Sequence, residues 1–252
     1  MNRQHPLLPM KCEHTPRFLF VFTVGLVLVA SAAGQIQAQT RVACIGEQTT
    51  HSFHRQNDPE YPLFLGELLD RDFKVDTTRS HPNAGGFLYG GGTNYRIGNF
   101  GHPRGTVLDH ALENPKAILR SDELKLAEAF APQVVILGPF GDHESLTKVS
   151  MDGFARDLRT LVDRIAGFDS KPTIFVALPL SRGGTDDDAN YRRIHEETDQ
   201  VARERKLPVI DLWSAFLGRK EYYQDATHLT VAGRQHLAAV IAYAVLAWKK
   251  GR

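Results

Sequence analysis

Four short apolar runs rich in β-branched residues, Arg41–Ile45, Gln133–Leu137, Thr173–Leu178 and Pro208–Leu212, are spaced along the chain, each bounded by glycine, proline or a polar turn. Runs of this length and make-up read as strands buried on both faces of a parallel sheet. Between and around them lie amphipathic segments: Tyr61–Leu69, Ser121–Phe130, Met151–Ile165, Ala189–Arg205 and Val231–Trp248. In the third of these, Phe154, Leu158, Leu161, Val162 and Ile165 recur at helical spacing, which sets one stripe against the sheet. The pattern predicts an α/β chain, a three-layer α/β/α sandwich around a mostly parallel sheet.

The first residues follow a different logic. Lys11 and Arg17 precede an apolar run from Phe18 to Ala30, and the small residues Ser31, Ala32, Ala33 and Gly34 come next. A bilayer needs about 20 helical residues, so this run is short for a span and reads as a signal peptide over residues 1–38. Ala30-Ser31-Ala32 and Ile36-Gln37-Ala38 are the two candidate cleavage patterns. The expectation is export to the periplasm or beyond, with membrane attachment only if the segment stays uncleaved. After cleavage Cys44 alone remains of Cys 2, and its place in an apolar run makes it a packed thiol. No repeat and no linker divides the rest, so residues 39–252 read as a single domain. A formal net charge of +1 lacks the electrostatic footprint of a phosphate-backbone binder, which argues against nucleic acid as a partner.

In open α/β sheets ligands collect beyond the carboxyl ends of the strands, and the loops there carry this chain's unusual residues. Gly46-Glu47-Gln48-Thr49-Thr50-His51-Ser52 follows the first run, and Gly138-Pro139-Phe140-Gly141-Asp142-His143-Glu144 follows the second. Asn99-Phe100-Gly101-His102-Pro103-Arg104 reads as a loop after the extended stretch Tyr95–Gly98. Asp225-Ala226-Thr227-His228 stands just before the last helix. At that spacing a carboxylate can hold one imidazole nitrogen and fix the tautomer, which makes the other nitrogen a general base.

The order of these segments carries a resemblance. Arg41-Val42-Ala43-Cys44-Ile45-Gly46 with Thr50 is similar to a first block of strand and Gly-Asp-Ser-x-Thr turn. Asn99-Phe100-Gly101, then Val134-Val135-Ile136-Leu137-Gly138 with Asp142, then Asp225-Ala226-Thr227-His228 resemble the remaining blocks, and together the four point to the SGNH (GDSL-type) hydrolases over roughly Arg41–Trp248. The resemblance implies the flavodoxin-like SGNH hydrolase fold and an ester hydrolase, with similarity to secreted sugar esterases. It gives Asp225 and His228 the roles of orienting acid and base, and Gly101 that of a backbone oxyanion donor. Asn99, His102, His51 and Asp142 would bind a small-molecule or polysaccharide ester.

The chain departs from that family at two places that matter. Gln48 stands where the nucleophilic serine belongs and Glu47 where the aspartate does, and Phe140 or Gly141 replaces the oxyanion asparagine. An amide cannot attack an ester, and losing one side-chain oxyanion donor typically costs ~10²–10³ in rate. Thr49, Thr50 and Ser52 offer hydroxyls in the same loop, Ser52 being the best placed. Water activated by Asp225 and His228, or by Glu47, avoids a covalent intermediate altogether, leaving Gln48 to orient substrate or water. Two further readings stand beside this one. No cofactor is expected, yet His51, His102, His143 and His228 each fall in one of the loops and would form a metal-assisted hydrolase if they converged. A relative that kept the cleft and lost the chemistry would be a carbohydrate- or envelope-binding module. The glycine-rich stretch between Val75 and Asn94 reads as a surface hairpin or a lid, and Asp186-Asp187-Asp188 as a solvated helix start.

Overall fold

A computed structural model describes residues 38–51, 59–75, 87–109, 117–141, 153–185 and 189–251. The signal segment, Ser52, Gly85-Gly86, Asp142, His143, Glu144 and the run Asp186-Asp187-Asp188 lie outside the described residues. Six strands form one sheet: β1 (Thr40–Gly46), β2 (Phe87–Gly91), β3 (Tyr95–Gly101), β4 (Val134–Leu137), β5 (Thr173–Ala177) and β6 (Val209–Ile210). Their order is β2-β3-β1-β4-β5-β6, with β2 antiparallel to β3 and every other pair parallel.

Helices α1 (Tyr61–Leu69), α2 (Asp122–Ala129), α3 (Phe154–Ala166), α4 (Ala189–Glu204), α5 (Leu212–Phe216) and α6 (Val231–Lys250) cover the two faces. On one face Phe154, Leu158, Leu161, Val162 and Ile165 of α3 pack with Ile194 and Val201 of α4 against Ala43, Ile45, Val135 and Val176. On the other, Tyr61, Leu65 and Leu69 of α1 and Leu237, Ala238, Ile241 and Val245 of α6 pack against Val42, Cys44, Ile136 and Phe175. Alternate residues of one strand therefore feed both cores, which is why β1 from Val42 to Ile45 and β4 throughout are apolar at consecutive positions. By length and composition α6 could cross a membrane. Its apolar stripe is spent on the sheet instead. Cys44 is fully buried in this second core, and burial pushes its thiol up to about 12.

Two sequence expectations need correction. The stretch 87–91, read as part of a surface hairpin or a lid, is β2, an antiparallel partner of β3 within the main sheet, which shifts register between Leu88 and Gly90. Asn99-Phe100-Gly101, read as loop, is the end of β3, paired through Gly46↔Gly101 with β1. Arg96, Gly98, Asn99 and Gly101 break the apolar run, while Tyr95, Ile97 and Phe100 are buried in the two cores. The hairpin is tied to the helical layer by Asp70, the residue after α1, whose carboxylate accepts N–H bonds from Asn94 and Tyr95.

The chain moves from β1 outward to β3 on one side, then returns to place β4 on the other. That reversal at β1 opens a crevice at the carboxyl ends of the central strands, where ligands of open α/β sheets sit.

Candidate active site

The crevice is a cleft of about 300 Å³. The turn after β1 supplies Glu47, Gln48 and Thr49, the segment after β4 supplies Pro139, Phe140 and Gly141, and Leu180 and Ser181 follow β5. Glu60 before α1, Tyr191 of α4, Arg234 of α6 and the segment Tyr223–Leu229 complete the wall, with Arg104 at the rim.

The turn after β1 is made by the Glu47 carbonyl, which accepts the N–H groups of Thr50 and His51 at 2.9 Å each. Gln48 stands at its tip, half-buried and facing the cleft. Glu47 is buried beside it.

His228 owes its place to the loop that closes before α6. The Thr230 N–H donates to the Tyr222 carbonyl at 2.9 Å, the Gln224 N–H donates to the His228 carbonyl at 2.8 Å, and the Thr230 hydroxyl caps the helix by accepting the Gly233 N–H at 3.1 Å. Gly233 is required there, because a Cβ would lie 2.3 Å from the Tyr222 oxygen. Within the loop His228 Nδ1 faces both Asp225 oxygens, at 3.0 and 2.8 Å. The same carboxylate accepts the backbone N–H groups of Thr227 and His228, each at 2.8 Å. These bonds, the Thr227 amide first and then the His228 amide and ring, hold the Asp225 carboxyl well below the usual carboxylate range. An anion fixed on Nδ1 leaves Nε2 with the free lone pair, the orientation a general base needs.

The other sequence-predicted residues lie elsewhere. Gly101 packs its α-carbon against the Thr50–His51 backbone, where a Cβ would come within 2.3 Å of the His51 nitrogen. Its N–H donates to Asn99 Oδ1 at 2.9 Å, so Asn99 occupies the group that the resemblance offered as an oxyanion donor. Asn99 is fully buried, with its Oδ1 turned to the Gly101 N–H. His51 is buried with Nδ1 3.1 Å from the Gly101 carbonyl. His102 Nδ1 lies 2.9 Å from Glu123 Oε2 on α2. Thus His51 and His102 do not converge with His228, and among the described residues no group of three or more His, Cys, Asp or Glu could hold a metal ion. Their partners are some 20 to 50 positions away in sequence, beyond any local motif.

In the third block, Phe140 points into the core and Gly141 reaches the cleft. The Tyr191 hydroxyl donates to the Gly141 carbonyl, and a Cβ on Gly141 would lie 2.8 Å from the tyrosine ring. An aromatic ring from α4 thus fills the place beside the missing asparagine. Tyr223 likewise donates to the Ser181 carbonyl, and burial raises its phenol to about 12. Glu60, Arg104, Ser181, Tyr191, Tyr223 and Arg234 were not singled out by sequence. Glu60 carried one usable signal: it stands at a helix N-cap position, where Ser, Thr, Asp or Asn is preferred.

The sheet order and the helical layers on its two faces form a three-layer α/β/α fold shared with solved esterases and a GDSL-like lipase. Solved structures sharing it include an acetylxylan esterase from Geobacillus stearothermophilus (TM-score 0.58, 18% identity, 83% of this chain and 95% of that one). The acetyl xylan esterase AlAXEase is similar at TM-score 0.57 and 16% identity over 81% of this chain and 99% of its own. A candidate GDSL-like lipase from Parabacteroides merdae follows at 0.56 and 14%, over 82% and 96%. No family model and no curated protein matches the sequence.

Proposed function

We propose that the chain is an exported carboxylic-ester hydrolase that removes acyl groups from a carbohydrate, using water in place of a serine nucleophile. The observation that carries the reading is the Asp225–His228 pair, 2.8 Å apart at the wall of a cleft whose nucleophile position is Gln48. His228 takes a proton from water as the oxygen adds to the acyl carbon, Asp225 stabilises the imidazolium, and Gln48 orients the water or the acyl group. Esterase neighbours with acetylxylan in their names support a sugar ester, and the amino-terminal apolar segment supports export.

Small acyl esters and acetylated xylo-oligosaccharides are the substrates to assay. The expected result is slow turnover without an acyl-enzyme burst, falling by roughly 10²–10⁴ in His228→Ala. Turnover untouched by that change would overturn the site. Hydrolysis that appears only after Gln48→Ser would instead favour the binding-module reading, for which the absent serine is the supporting observation.

A further inference from the structure

The cleft holds a carboxyl that the mechanism above does not use. Glu60 immediately precedes α1, in the position of a capping residue, yet its side chain makes no capping bond to the helix. Instead it lines the same cleft as His228 and Gln48. Its side chain is only 15% exposed, and the nearest opposite charge is Arg234 Nη1 on α6, itself 6% exposed, at 3.7 Å. That separation is too long for a hydrogen bond, so the proton-bearing oxygens of Glu60 are not committed to the guanidinium.

Direct hydrolysis needs two proton transfers: His228 takes a proton from water, and the departing sugar alcohol, a poor leaving group as an alkoxide, needs a proton as the ester bond breaks. The imidazolium of His228 is one source of that proton, and Glu60 stands in the same cleft as a second. We propose that Glu60 is the general acid that supplies it, an inference resting on the ester-hydrolase reading. Water oxygen bonds to the acyl carbon as His228 takes one of its protons. The bond between acyl carbon and alcohol oxygen then breaks, its electron pair stays on that oxygen, and the Glu60 proton joins it. The proton on His228 returns to Glu60 through solvent, leaving a carboxylic acid and an alcohol.

Burial supports the protonated state, pushing the Glu60 carboxyl up to about 8. The charged or titratable groups on the wall with it are Arg234 from α6, Glu47 after β1, Arg104 after β3, Tyr191 from α4, Tyr223 and His228, and Tyr61 of α1 is beside it in the chain. Of these, Arg234, 3.7 Å away, favours the ionised form and so opposes the shift, which burial dominates. Two carboxyls, Asp225 held ionised by hydrogen bonds and Glu60 held neutral by burial, would divide base support from acid duty.

The test compares 4-nitrophenyl acetate, whose leaving group needs no proton, with an acetylated xylose, whose leaving group does. Glu60→Gln should lose about 10²-fold or more on the sugar acetate and stay within about threefold on the aryl ester. The fall in wild-type sugar-acetate activity above about pH 8 should vanish in the variant. Equal losses on both esters would overturn the role of Glu60 while leaving the His228 reading intact. No turnover of either ester by wild type would remove both. Should Glu60→Gln fail to fold, the wild type alone decides: the rates on the two esters must diverge above about pH 8, and parallel profiles would refute the inference.

Discussion

Tyr191 shows how a single side chain can fix what its neighbour is able to carry. Its ring lies where a Cβ on Gly141 would have to go, and its hydroxyl is spent on the Gly141 carbonyl. Restoring an asparagine there is therefore blocked by a neighbour distant in sequence. Gly141→Asn alone should lower stability by about 1–3 kcal/mol through overpacking and leave ester turnover unchanged. Tyr191→Ala costs stability of its own, about 3–5 kcal/mol for a buried aromatic, but the double variant should lose less than the sum of the two, since the cramped contact is removed. Thermal unfolding of the two variants, with turnover measured in parallel, checks both statements; a fully stable single variant would show that the ring yields. The same scale explains which site residues were readable. Asp225 and His228 are three positions apart, so their partnership is written in the chain itself. His51 and His102 resemble cleft residues only until β3 and α2 supply the Gly101 carbonyl and Glu123.

Among the elements, those with the densest apolar signal were the most legible. β1, β4 and β5 are buried on both faces, and α3 shows its stripe at every turn. β2 and β3 were obscured for the opposite reason: glycines and Arg96 interrupt them, and their strand conformation comes from pairing with β1 and with each other. A consequence follows for α3. Leu158 is fully buried within the first core, so Leu158→Ala should cost about 2–5 kcal/mol in chemical denaturation. Leu68, which α1 turns outward at 51% exposure, is the matching control, and Leu68→Ala should stay within about 0.5 kcal/mol. Comparable losses at both positions would mean that α3 is not docked by its stripe.

For the whole molecule, the cleft couples folding to pH. A carboxyl whose folded pKa lies above its ordinary value of 4.5 binds extra protons in the folded state. The stability contributed by Glu60 is thus complete below about pH 4.5 and is lost as pH rises through about 8. Asp225 has the opposite sign. Its pKa is depressed, so its contribution is present above the ordinary carboxylate range and fades only as pH falls below it. Unfolding free energy should therefore decline between about pH 5 and 8, with a Glu60 slope no steeper than about 1.4 kcal/mol per pH unit. Glu60→Gln should flatten that decline, as denaturant titrations across the range would show; an unchanged slope would assign it to another group.

The two ends of the sheet carry a further consequence, for colloidal behaviour. β6 is two residues long, and β2 loses register between Leu88 and Gly90. Open strands invite a second chain to pair along them, and both a very short strand and a bulged one deny a continuous ladder. With Lys74 also bridging Gly91 on the outer side of β2, each margin offers a second chain only a short, broken ladder, a geometry that disfavours edge-to-edge pairing.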